Sequence, residues 1–189
     1  MSIVVTVPEH EATGALAGLY ADDLGDQGSV AAHTKVLGLN PGALVAWNGL
    51  SRAITAQMDR RRYELVTLAA ARGARSEHCL LAHGRVASRY IEEEQLTRIA
   101  RDYRDADLTP AEVAMMEFAE RVSRDAADMT EADSLRLREA GFSDREIVDI
   151  ALAAAARNFY SRAVQALAVE VEPPADLSAE LRAALVERL

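Results

Sequence analysis

The 189-residue chain reads as all-α, a single helical domain, and three features carry that reading. Half of its residues are hydrophobic but only 5 % are aromatic, so alanine and leucine must supply the packing, and both favour helices. Apolar side chains recur at a 3.6-residue period along several stretches. Ser, Thr and Asn residues stand at the starts of those stretches, some followed at once by proline or three positions later by glutamate. A chain of this length can bury one good-sized core.

Taken in order, the β-branched start SIVVTVP predicts an extended arm that ends at Pro8. A first helix is expected over residues 9 to about 24, closed by GDQG, and a short second one over 30–37. Asn40 and Pro41 then offer an N-cap and a first helical position, and Leu44, Trp47 and Leu50 or Ser51 repeat at helical spacing. RRRYELVTLAAAR (60–72) forms the next helix, with Gly73 as the residue just past its end. Ser76 is a good N-cap for a helix over 77 to about 90, and EEEQLTRIARDY reads as a polar, exposed helix. LTPAEVAMMEFAERVSRD starts at Thr109 and Pro110 and turns Val113, Met116, Phe118 and Val122 inward. TEADSLRLREAG is a short helix closed by Gly141. The longest helix follows a Ser143/Glu146 capping box, and its alanine run from Ala151 to Ala156 implies close neighbours. VEPPAD is the evident linker. Beyond it Leu177, Leu181, Leu185 and Leu189 form one stripe, suited equally to the chain's own core and to another subunit.

The formal charge of −9 argues against nucleic acid as a partner, because phosphate binding needs a clustered positive surface. The one dense basic run, Arg60, Arg61 and Arg62, reads as a solvated or salt-bridged helix start. A lone cysteine makes no internal disulfide and gives no sign of an oxidising compartment. The N-terminus lacks the basic and then apolar pattern of a secretory signal, and no apolar run approaches the roughly 20 residues that span a bilayer. Together these predict a cytoplasmic protein with no membrane partner.

The chemistry concentrates in RSEHCLLAH, residues 75–83. With Ser76 at the N-cap, Cys79 falls at the third helical position, where unpaired backbone N–H groups and the helix dipole favour a thiolate. His83 lies one turn on, on the same face, placed to take the thiol proton and then to stabilise the anion. His78 points about 100° away around the helix. On the preceding helix Glu64 shares a face with Leu68 and Ala71, so a carboxylate sits on an apolar stripe and needs a partner. His83 is the obvious one. The result would be a relay in which Glu64 orients His83 and His83 deprotonates Cys79. The same residues also admit a bland account: an inert buried cysteine, a solvated glutamate, a satisfied histidine and a serine that only caps a helix. No metal or cofactor is expected, since His78 and His83 are five apart and no third ligand accompanies them.

The spacing E-x11-S-x-x-C-x3-H, from Glu64 through Ser76 and Cys79 to His83, resembles the E-x11-C-x-x-C-x3-H pattern of the alkylhydroperoxidase AhpD-like family, part of the carboxymuconolactone decarboxylase superfamily. The lead-in NPGALVAWNGLSRAITAQMDRRRYELVTLAAA and the two long helical stretches after residue 108 are similar to its peroxidase-related branch. The resemblance covers roughly residues 28–170. It implies an AhpD-like helical core there, an arm and first helix over 1–27, a linker and amphipathic helix over 171–189, and a homo-oligomer. It implies that Cys79 is the peroxidatic cysteine, His83 its base, Glu64 the relay carboxylate and His78 an accessory residue. The expected substrate is a hydroperoxide. Ser76 stands where the family keeps its first cysteine and cannot resolve a sulfenic acid, so an external thiol becomes the expected reductant. Two other readings fit the same scaffold. One is a decarboxylase or lactone-handling enzyme that uses His83 and Glu64 for proton transfer, with Arg75, Arg85 or Arg162 contributing a cation. The other is a non-catalytic oligomeric module.

Overall fold

The computed structural model describes residues 3–56 and 58–187, and among these the regular structure is entirely helical. The α-helices are α1 (Gly14–Gln27), α2 (Ala32–Leu37), α3 (Pro41–Thr55), α4 (Arg60–Gly73), α5 (Glu77–Ala87), α6 (Glu93–Asp102), α7 (Pro110–Asp125), α8 (Glu131–Glu139), α9 (Asp144–Ala166) and α10 (Ala179–Val186). No described helix is long and apolar enough to cross a membrane.

Helix α4 is the axis of the fold. Its residues from Tyr63 to Ala71 are all buried, which suits a helix wrapped by α7, α9 and α5. The α4–α7 seam is the closest. A Cβ on Gly73 would lie 2.3 Å from the Glu120 carbonyl oxygen of α7, so only glycine lets the two backbones meet there. The arginine run at the start of α4 is salt-bridged, as expected. Arg61 pairs with Glu112 at 2.9 Å and Arg62 with Glu146 at 2.6 Å. Both glutamates also close capping boxes, with Thr109 and Ser143, so these ion pairs tie the start of α4 to the starts of α7 and α9.

The C-terminal helix packs on its own chain. Leu177, Leu181 and Leu185 are buried, and a Cβ on Gly84 of α5 would lie 2.4 Å from Leu185 Cδ1. Ion pairs Arg85–Asp176 and Arg101–Glu180 flank that contact. Leu189, the last member of the predicted stripe, lies outside the described residues.

Several expected boundaries shift, each for a local reason. The first helix does not begin at residue 9: Glu9–Glu11 form a single 3-10 turn, Ala12 and Thr13 are extended, and α1 starts at Gly14. It runs on through Gly25 to Gly28, whose φ of 77° ends it. The second helix starts at Ala32, because Val30 is drawn into a satellite core with Leu16 and Tyr20, and the Ala31 N–H donates to Asp23. Helix α5 ends at Ala87 and α4 is closed by Arg75, at φ 55°, with Gly73 still helical. Helix α6 is not simply exposed: Leu96, Thr97 and Ile99 are buried beneath α10. On α3 the buried positions are Leu44 and Ile54, with Leu50 half exposed.

Candidate active site

The break between α4 and α5 positions the site. Arg75 adopts a left-handed conformation and the Ser76 N–H donates to the Ala71 carbonyl at 2.9 Å, folding the chain back so that α5 lies against α4. Ser76 then caps α5 as predicted: its Oγ, fully buried, accepts from the Cys79 N–H at 3.4 Å. Cys79 is therefore at the third position of the helix, and its side chain is 1 % exposed.

Glu64 and His83 converge across the two helices, with Glu64 Oε2 2.7 Å from His83 Nδ1. Glu64 is 2 % exposed and the His83 side chain 15 %, so this pair is shielded from water. Burial, and then the positive charge of Arg157, hold the His83 pKa below the usual imidazole range, against the opposing pull of Glu64. Its base form is the one present at neutral pH, and with Nδ1 committed to the carboxylate, Nε2 is the nitrogen left to accept a proton.

The sulfur's side-chain partner is one that the sequence reading missed. Arg157 of α9, buried, places Nη1 3.7 Å from Cys79 Sγ. Tyr63 also lies against this guanidinium. Among the described residues no direct hydrogen bond joins His83 to Cys79, so the predicted pair is a proximity of one helical turn. The three arginines named from sequence as possible cations lie elsewhere: Arg75 is exposed, Arg85 pairs with Asp176, and Arg162 donates to Asn158 and to the Ser123 carbonyl. A signal for Arg157 was present. It falls in the stripe Ile150, Ala153, Ala154, Arg157, Tyr160, Ser161 and Val164, whose spacing turns every member toward the core.

Aromatic rings surround the guanidinium. Its carbon lies 6.0 Å from the centroid of Trp47 and 5.5 Å from that of Tyr160, and Trp47 stacks on Phe159 at 5.5 Å. His78, expected as an accessory residue, makes an edge-to-face contact of 5.1 Å with His33, which in turn faces Tyr160 at 5.9 Å. Sequence carried no signal for His33. Burial comes first among the causes that lower both imidazoles to a pKa of about 4, with Arg157 adding to it in each and His33 adding to it in His78. A cavity of about 350 Å³ adjoins this group on the outside, lined by His33 and Tyr160 together with Asp22, Asp23, Asp26 and Arg52. Among the described residues no three His, Cys, Asp or Glu side chains converge as metal ligands.

An all-α bundle that holds a capped cysteine, a histidine one turn on and a carboxylate from the preceding helix has the AhpD-like fold, as the motif implied. Comparison with solved structures agrees. An uncharacterized peroxidase-related protein from Ralstonia eutropha JMP134, described as an alkylhydroperoxidase AhpD core, superposes with a TM-score of 0.79 over 100 % of this chain and 97 % of its own, at 22 % identity. A second uncharacterized peroxidase-related protein, from Silicibacter sp. TM1040, gives 0.72 over 87 % of both chains at 25 % identity. The debrominase Bmp8, in a cysteine-to-alanine variant bound to 2,3,4-tribromopyrrole, gives 0.78 over 99 % of this chain and 97 % of its own, at 20 % identity. No protein-family model matches the sequence, and no curated protein matches it.

Proposed function

We propose that the protein is a thiol-dependent peroxidase that reduces hydroperoxides through Cys79. The observation that carries this reading is the Glu64–His83 pair at 2.7 Å, poised one helical turn from the lone thiol within an AhpD-like bundle. Neutral His83 takes the thiol proton at Nε2. No direct hydrogen bond joins it to the sulfur, so in this proposal water relays the proton. The thiolate attacks the terminal oxygen of the hydroperoxide. An S–O bond forms, the O–O bond breaks, and the sulfur is oxidised by two electrons to sulfenic acid. The departing alkoxide takes up a proton relayed from solvent through His83, and Glu64 stabilises the transient imidazolium.

Ser76 offers no second sulfur, so an external thiol completes the cycle. It condenses with the sulfenic acid, releasing water and leaving a mixed disulfide. A second thiol then frees Cys79 and departs as a small disulfide. The protein works as a homo-oligomer in this proposal. Val148, Leu152 and Phe159 lie on one face of α9 and are about half exposed or more, the kind of apolar stripe that a second copy covers.

Intact-mass measurement after limiting cumene hydroperoxide tests the reading. One oxygen atom on Cys79 without added thiol, and its removal when a small thiol is present, are expected. A sulfur that stays unmodified would contradict the proposal and favour a non-catalytic module, for which the near-complete burial of Cys79 is the supporting observation. A second enzymatic reading, thiol-dependent dehalogenation of a halogenated arene, is favoured by the rings of Trp47, Phe159 and Tyr160 beside Arg157 and by the debrominase among the fold relatives. Bromide release from 2,3,4-tribromopyrrole in the presence of thiol, without hydroperoxide consumption, would support it over the first.

A further inference from the structure

The polar half of the core contains a cation with no carboxylate to balance it. Glu64 is engaged by His83, and among the described residues no carboxylate forms an ion pair with Arg157, which is only 6 % exposed. A guanidinium keeps its proton at any ordinary pH. Withdrawing such a charge from water costs several kcal/mol unless an anion or enough acceptors compensate. The faces of Trp47 and Tyr160 supply part of that compensation. Tyr63 contributes a phenolic oxygen, while Nε is buried with no acceptor at all. One further ionisable group touches the guanidinium: the Cys79 sulfur, 3.7 Å from Nη1.

We infer that Arg157 is a further catalytic residue, the resident counter-ion of a Cys79 thiolate. The cap places the sulfur at the start of α5, and α9 delivers the charge that keeps it ionised. Its place in the reaction rests on the peroxidase reading. During attack the negative charge moves from sulfur to the departing oxygen, and a forked donor beside the sulfur can follow it. The ionisation of the sulfur stands apart from that reading and is tested apart from it.

The experiment compares wild-type protein with Arg157→Met and Arg157→Lys. Two quantities are read at neutral pH: the ultraviolet thiolate absorbance, taken against Cys79→Ser, and the rate of alkylation by iodoacetamide. Arg157→Met should lose most of the absorbance and alkylate about tenfold more slowly, the effect of roughly one unit of lost charge stabilisation. Arg157→Lys should retain most of the absorbance. Folded Arg157→Met with wild-type absorbance and alkylation would overturn the inference. So would a lysine variant that loses as much as the methionine variant, because packing would then explain both. If Arg157→Met does not fold, Arg157→Gln is read in its place against the same two outcomes. Neither readout involves a peroxide. A wild-type sulfur that ionises in an Arg157-dependent way yet ignores hydroperoxides would defeat the peroxidase reading and leave this one standing.

Discussion

The two flanks of α4 are built on opposite principles. Toward α7 it presents Gly73 against the Glu120 carbonyl, and α7 buries Met115, Met116 and Ala119, a seam with backbones in near contact. Toward α5 and α9 the same helix offers Glu64 and Tyr63 to the part-buried His83, the buried Arg157 and the buried Cys79. The first flank gains stability from close packing and contact between apolar atoms. The second carries charges whose burial costs free energy: Glu64 is offset by His83, and Arg157 in part by the faces of Trp47 and Tyr160 and by the sulfur beside it. One helix thus serves both as the keel of the fold and as one wall of the candidate site. Changes on one flank should affect stability alone, and changes on the other should affect reactivity more.

The largest expected effect lies at the candidate site. His83→Gln should slow oxidation of Cys79 by hydroperoxide by about 10²-fold, the usual contribution of a positioned general base, while the thermal midpoint moves little. Stopped-flow consumption of Cys79 reads the first quantity and calorimetry the second. On the other flank, Gly73→Ala should cost roughly 1–3 kcal/mol in urea denaturation, because its Cβ meets backbone on α7. The oxidation rate per folded molecule should stay the same. If that rate fell too, the two flanks would not be separable.

The pH dependence of stability sharpens the contrast. His33 and His78 have folded-state pKa values lowered to about 4, so between pH 6.5 and 4 the unfolded chain binds more protons than the folded one. Stability therefore rises with pH through that window and is lost on acidification. From pH 7 to pH 5 the loss is about 1–2 kcal/mol for each imidazole. Urea titrations at both values should show this, and His33→Gln with His78→Gln should flatten it. Smaller again is Ser76→Ala, which removes the cap of α5 at about 1 kcal/mol. Ser76→Cys places a second thiol three residues before Cys79, and an internal disulfide between them on oxidation is the expected product, seen as loss of two free thiols.

What was legible in the sequence follows the same division. Local signals survived: Asn40, Ser76, Thr109 and Ser143 each cap the helix they precede, because a cap depends on neighbours three residues away. The Glu64–His83 contact was legible too, since both residues sit at consistent positions on consecutive helices. Arg157 was missed because its partner is 78 residues distant, and an arginine in an apolar stripe is easily taken for a surface residue. Gly73 was misread as a helix terminator because the reason for it lies on α7, which no local pattern around residue 73 contains.

The most direct test of the whole account is the second-order rate constant of Cys79 with cumene hydroperoxide at neutral pH, set beside that of free cysteine. The proposed site predicts a rate at least about 10²-fold faster for the protein thiol. A rate equal to or below that of free cysteine would mean that His83, Glu64 and Arg157 do nothing to activate the sulfur.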